Sequence, residues 1–239
     1  MNVDVFIPCF IDQLFPDTAA NMISFLENNG CKVQYNPEQT CCGQPAFNSG
    51  FWEESKKVAE KFLNDFSSEH YIVSPSGSCT GMVKNYYSEL FTNSASHNKC
   101  RSIQNQIIEF SDFVVNVLKN PKIQSALKGK VTYHDSCAAL RECGIKNEPR
   151  ELINKIPGIE LIEMNDCETC CGFGGTFSVK FEGISAAMAE QKVQNAMATG
   201  AEWIISTDAS CLINIQAYID KHNLPIKTIH LVDALCYED

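Results

Sequence analysis

Thirteen of the 239 residues are cysteine, an excess that points to sulfur chemistry. Thiolates ligate soft metals, carry redox equivalents and, in oxidising compartments, pair into disulfides. Eight of them recur in order: Cys9, Cys41, Cys42 and Cys79 in the first half, then Cys137, Cys170, Cys171 and Cys211 in the second. The offsets between partners are 128, 129, 129 and 132 residues. The flanks repeat as well. Both adjacent pairs read Cys-Cys-Gly, at Gly43 and Gly172. Ile72-Val73-Ser74 precedes Cys79 as Ile204-Ile205-Ser206 precedes Cys211, and Phe47 matches Phe177. The chain therefore reads as an internal duplication, with a first repeat at 1–120 and a second at 128–239. Four convergent thiolates can hold zinc or an iron–sulfur cluster. Zinc modules announce themselves as close C-x₂₋₄-C pairs, and bacterial ferredoxins as a compact four-cysteine run. Here one pair is directly adjacent and each set spans about 70 residues, so neither pattern applies.

Composition narrows the class further. The net charge is −10, which opposes a large nucleic-acid footprint. No apolar run reaches the ~18 residues of a membrane span. The opening Met1-Asn2-Val3-Asp4-Val5-Phe6-Ile7-Pro8 has no basic leader and reads as a strand rather than an export signal. A cytoplasmic location is expected. There, clustered cysteines are metal ligands or redox thiols, and the odd count opposes a disulfide framework.

The elements that must position the sulfurs repeat with them. β-rich runs are expected at Val3–Pro8, Lys32–Tyr35 and Tyr71–Ser74, then at Val131–His134, Ile159–Met164 and Trp203–Ser206. Helical stripes lie between them, at Ala19–Asn28, Phe51–Phe66, Thr80–Phe91, Pro149–Ile156, Ile184–Thr199 and Cys211–Lys221. Alternating β and α elements predict an α/β fold: two tandem, pseudo-twofold-related repeats, each a small, mainly parallel sheet with flanking helices. The segment from about Phe91 to Lys130 is extra to the repeated pattern, and its part Ile103–Leu118 reads as a connecting helix belonging to the 1–120 half. Every repeated cysteine follows a strand, so each set of four should meet at the carboxyl ends of its strands, beside helix N-termini that favour thiolates. Gly43 and Gly172 relax the turns that let adjacent cysteines face one site.

The pattern Cys-x₃₁-Cys-Cys-Gly-x₃₅-Cys, recurring in the second half, resembles the CCG cysteine-rich domain found in heterodisulfide reductase and in the iron–sulfur subunits of glycolate oxidase and anaerobic glycerol-3-phosphate dehydrogenase. The resemblance is carried by Thr40–Gly50, Tyr133–Cys137, Cys170–Lys180 and Asp208–Leu212, and it covers essentially the whole chain. It implies up to two iron–sulfur clusters of the 4Fe-4S type, labile in air, held by Cys9, Cys41, Cys42, Cys79, Cys137, Cys170, Cys171 and Cys211. Gly43, Gly172 and His134 would stand in their surroundings. Two repeats without a ferredoxin domain are most like the lactate-utilization branch. This implies electron transfer in L-lactate oxidation, as a component of an oxidoreductase complex with separate iron–sulfur and redox subunits rather than a complete enzyme. Two alternatives stand beside it: a thiol or disulfide redox enzyme acting at a cysteine-ligated cluster, and a cluster-free scaffold subunit. The fullest family motif ends in Cys-x-x-Cys, giving five cysteines per cluster. Here Ser76 and Asp208 hold the earlier position, which favours a cubane with four thiolates or one oxygen ligand over a five-cysteine noncubane cluster.

The remaining candidates are weaker. Cys31, Cys100, Cys143 and Cys236 have no repeat partner and read as ordinary thiols. Cys167, three before Cys170, stands closer to a ligand pattern. His134 is either a hydrogen-bonded structural residue or a tuner of the ligand shell. Asp135 reads as a turn or cap residue. Gly174-Gly175 lacks a nucleotide-loop pattern. No residue marks a lactate pocket.

Overall fold

The computed structural model describes residues 1–92 and 94–238. Among the described residues, eight short strands form two separate four-stranded sheets, parallel throughout. The first contains β1 (Asn2–Val5), β2 (Lys32–Tyr35), β3 (Tyr71–Ser74) and β4 (Ile107–Glu109), in the order β2-β1-β3-β4. The second contains β5 (Gly129–Tyr133), β6 (Ile159–Leu161), β7 (Trp203–Ser206) and β8 (Lys227–His230), in the same order, β6-β5-β7-β8. The central strands are buried from their second or third residue onward, because a parallel sheet is covered on both faces.

Two findings differ from the sequence reading. The expected connecting helix Ile103–Leu118 is interrupted: helix Ser94–Gln106 ends and Ile107–Glu109 becomes β4. Three residues give too short a run for period-2 alternation to stand out against the helical stripe around it. Beside β3, however, they pair with backbone groups that would otherwise be an open edge. β8, unread in the sequence, does the same for β7, so the "extra" segment is a true counterpart within the repeat.

Alternate residues of each central strand face two cores. Val3, Val5, Val73, Val131, Tyr133 and Ile205 point into one core shared by both halves. It is filled from the helices Pro16–Asn28, Phe113–Leu118, Asn147–Ile153 and Leu231–Leu235. Ile72 faces an outer cluster under helix Trp52–Asp65, with Ala59, Phe62 and Leu63. Ile204 faces the matching cluster of the second half, with Val193 and Ala196 of helix Glu182–Met197. Polar ties cross the shared core: Thr18 Oγ1 and Asn21 Nδ2 donate to Asp233, at 2.6 and 2.9 Å. Between the halves, helix Gly77–Gly81 lies against helix Cys137–Glu142 so closely that a Cβ on Gly77 would sit 2.8 Å from the Ala139 Cα.

Candidate metal centre

In the first half, Cys9 opens helix Cys9–Leu14 after β1, Cys41 and Cys42 lie in the turn after β2, and Cys79 sits in helix Gly77–Gly81 after β3. All four therefore stand at the carboxyl ends of strands. The Cys9 Sγ lies 3.7 Å from the Cys41 Sγ, and the Cys42 Sγ lies 3.4 Å from the Cys79 Sγ. Cys41 is the acceptor of the set. Hydrogen bonding with Cys42 and Cys9 lowers its pKa to about 3; the Cys9 S–H donates to it, and so does the Gly43 N–H at 3.3 Å. Cys9 and Cys42 are correspondingly pushed up, first by their bonds to Cys41 and then by further neighbours and burial.

The second half repeats the glycine N–H contact and the order of thiol acidities. Cys170 accepts from Cys137, Cys171 and, at 3.4 Å, the Gly172 N–H, and it is lowered to about 2. Cys137 and Cys171 are pushed up, chiefly by donating to Cys170. The glycine in each Cys-Cys-Gly is required twice over. Gly43 and Gly172 have φ of 84° and 88°, in the left-handed region. The following helix also presses on both: a Cβ on Gly172 would meet the Ser185 carbonyl oxygen at 2.8 Å, and one on Gly43 the Ser55 carbonyl oxygen at 3.2 Å.

All eight cysteines line a single cavity of about 620 Å³. The two quartets thus face each other across one space. Phe10, next to Cys9, meets Phe173 of the opposite half edge to face, with ring centroids 5.6 Å apart. Ser76 and Asp208, where the fullest motif has a fifth cysteine, are bonded to one another across the pseudo-twofold axis at 3.0 Å. Asp208 also accepts from the Ser78 N–H at 3.2 Å, from the Ser78 hydroxyl at 2.8 Å and from the Ser136 hydroxyl. Ser76 and Ser136 cap the helices that carry Cys79 and Cys137. These oxygens hold the two halves in register.

The surroundings of the two quartets differ. Around the first, Phe6, Phe62 and Phe66 pack edge to face or tilted, and Tyr87 donates its hydroxyl to the Cys42 carbonyl at 3.0 Å. Around the second, Asn214 Nδ2 donates to the Cys171 carbonyl at 2.8 Å. Lys192, 1% exposed, donates its Nζ to the carbonyls of Asp166 at 2.5 Å and Cys167 at 3.1 Å. His134 is fully buried, and among the described residues neither ring nitrogen makes a well-formed hydrogen bond. Its ligating atom, the Cys171 Sγ and the Cys211 Sγ all lie within 4.8 Å of one another. Desolvation, helped by Lys192, lowers its pKa to about 3 against the pull of Asp135 and the Cys167 backbone, so the imidazole is neutral and one ring nitrogen offers a lone pair.

The unpaired cysteines fall elsewhere. Cys31 is buried in the shared core and Cys100 in the first outer cluster. Cys143 donates to the Gly77 carbonyl at 3.5 Å, and Cys236 to the Asn21 carbonyl at 3.7 Å. Cys167 lies 4.0 Å from Arg150, outside the lining of the shared cavity. Asp135 is no cap; Ser136 takes that role. Asp135 instead receives Arg150 in a two-pronged ion pair at 2.9 and 2.7 Å, and Arg150 also bonds Glu163 and covers the Tyr133 ring. Lys192 and Arg150 escaped the sequence reading. A signal for Lys192 did exist, because it occupies the place of Phe62 in the second copy of the helix, in phase with the buried Ala189 and Val193.

Two parallel α/β halves, each presenting a thiol quartet on a Cys-Cys-Gly turn, define the class. A family model described as "Cysteine-rich domain" (CCG) matches residues 3–84 and 131–216, and the chain belongs to that family. Within it, the chain is 41% identical over 239 residues to Lactate utilization protein A of Halalkalibacterium halodurans, covering 100% of this chain and 98% of the relative. It is 40% identical over 237 residues to Lactate utilization protein A 1 of Bacillus mycoides, covering 98% and 96%. Among the described residues, no helix is long and apolar enough to cross a membrane.

Proposed function

We propose that this chain is an iron–sulfur electron-transfer subunit of a lactate-utilization system, acting in the cytoplasm with separate redox subunits. The observation that carries the reading is the pair of thiol quartets on one cavity. The donor set fits a cluster: paired sulfurs 3.4 and 3.7 Å apart in the first quartet, and in both quartets a glycine N–H aimed at one sulfur, Cys41 or Cys170. Cys9, Cys41, Cys42 and Cys79 of the 1–120 repeat would hold one cluster, and Cys137, Cys170, Cys171 and Cys211 of the 128–239 repeat the other. Such clusters supply reversible one-electron chemistry when bound.

The chain's own residues do the rest. Gly43 and Gly172 turn adjacent cysteines toward one site and stabilise thiolate with their N–H groups. Burial keeps solvent from the rear of each quartet: Cys42 and Cys171 are 1% and 2% exposed. The Ser76–Asp208 knot fixes the spacing of the two quartets. The lactate assignment draws on the relatives named above. The test is anaerobic reconstitution followed by iron and sulfide quantification and EPR. Two clusters per chain, each reduced and reoxidised by one electron, are the expected result. A chain that takes up no iron under these conditions is not an iron–sulfur protein.

A further inference from the structure

A buried histidine whose ring nitrogens lack well-formed hydrogen bonds is costly, since each unmet polar group costs about 1–3 kcal/mol. His134 is in this state among the described residues, and it is fully buried. It ends the run of β5: its N–H bonds the Ile205 carbonyl at 2.9 Å, as the Phe6 N–H bonds the Val73 carbonyl at 2.9 Å in the first half. The backbone therefore fixes the ring at one place in each repeat. In the first half that place holds an aromatic hydrocarbon, Phe6, packed on Phe62 at 4.8 Å. In the second it holds a nitrogen donor grouped with the Cys171 and Cys211 sulfurs within 4.8 Å. Imidazole and thiolate are the usual mixed donors for zinc and for iron–sulfur centres that depart from all-cysteine ligation. The oxygen that could have served instead, Asp208, is engaged by Ser76, Ser78 and Ser136.

The geometry points to His134 as a fifth donor, through one ring nitrogen, to the group held by Cys137, Cys170, Cys171 and Cys211. The second centre is then a mixed nitrogen–sulfur site, and the first is all sulfur. This rests on reading the second quartet as metal-holding, so the test separates the two claims. Full-length protein labelled with ¹⁵N-histidine is reconstituted anaerobically with iron and sulfide, and pulsed EPR is recorded on the reduced clusters. A strongly coupled histidine nitrogen is expected in one of two signals, and it should vanish in His134→Phe while the other signal is unchanged. Clusters in both halves with no such coupling in the wild type overturn the inference and leave the proposed function standing.

Cobalt(II) alone is the second probe, for the case in which no iron–sulfur cluster assembles and the proposed function fails. Thiolate-to-cobalt absorption should persist, with affinity at the second quartet reduced about ten- to a hundredfold in His134→Asn and His134→Phe. Equal cobalt affinity and an identical spectrum in wild type and variants overturn the inference. The labelling measurement needs no variant, so poor folding of a substituted chain does not remove the test.

Discussion

Three residues before the first cysteine of each quartet, the first half carries Phe6 and the second His134, both fully buried. Along the helix that backs the Cys-Cys-Gly turn, Phe62 in the first half stands where Lys192 stands in the second. Ser55 and Ser185, Ala59 and Ala189, and Leu63 and Val193 are buried in both copies. The duplication has thus kept the sulfurs, the glycines and the small residues under them, and changed what surrounds them. The first site is lined behind by aromatic hydrocarbon; the second has a buried cation, an imidazole and an Arg150–Asp135 pair. If the quartets hold clusters as proposed, these unequal surroundings would give them unequal potentials, because burial, charge and hydrogen bonds near sulfur set a cluster's potential. Two proposed centres of different potential facing one cavity would suit electron transfer with a direction.

The largest expected effect tests whether the halves are separable at all. Cys42→Ala should remove one cluster, about half of the bound iron. Cys171→Ala should remove the other, with iron and sulfide counting as the measure. If either substitution empties both sites, the comparison of two independent centres fails.

Next is the knot between them. Asp208→Ala leaves the Ser76, Ser78 and Ser136 hydroxyls without their shared acceptor, so urea denaturation should show a loss of about 3 kcal/mol. Ser78→Ala removes one donor and should cost about 1 kcal/mol. Equal effects would mean that Asp208 does not organise the interface.

The strand ends that close the two sheets also differ: Glu109 ends β4 and His230 ends β8. Both cap the next turn, with Glu109 accepting from the Ser111 N–H at 2.7 Å and His230 from the Val232 N–H at 3.2 Å. Burial raises the Glu109 carboxyl from 4.5 to about 8. The folded state therefore holds a proton that the unfolded chain releases, and this contribution to stability is complete below pH 4.5 and lost as pH rises toward 8. Glu109→Gln should flatten that decline, sparing about 1–2 kcal/mol between pH 6 and 8. Parallel stability curves for the two proteins would assign the pH dependence elsewhere.

The smallest effect is expected at Lys192. Lys192→Met loses two hydrogen bonds to carbonyls but no longer buries an ammonium, so a net cost of about 1 kcal/mol is expected from thermal or chemical unfolding. A gain in stability would show that the buried charge is retained against the interests of the fold, which would sharpen the contrast between the two sites.

What the sequence by itself determined here is local and periodic. The repeat offset assigned eight cysteines to two sets, the position of each after a strand put it at the carboxyl end of a parallel sheet, and Gly43 and Gly172 marked turns that only glycine tolerates. Those inferences needed residue type and short-range spacing alone. The tertiary structure decided the rest. Ile107–Glu109 is a strand because β3 offers it an edge, a partner some 35 residues away in the chain. Ser76 and Asp208 looked like two missing ligands, each within its own repeat. They are one hydrogen-bonded pair because the shared core brings positions 132 residues apart together. The two quartets meet on one cavity for the same reason. Spacing along a chain fixes which face a side chain occupies, but only the packing of one half against the other fixes what that face meets.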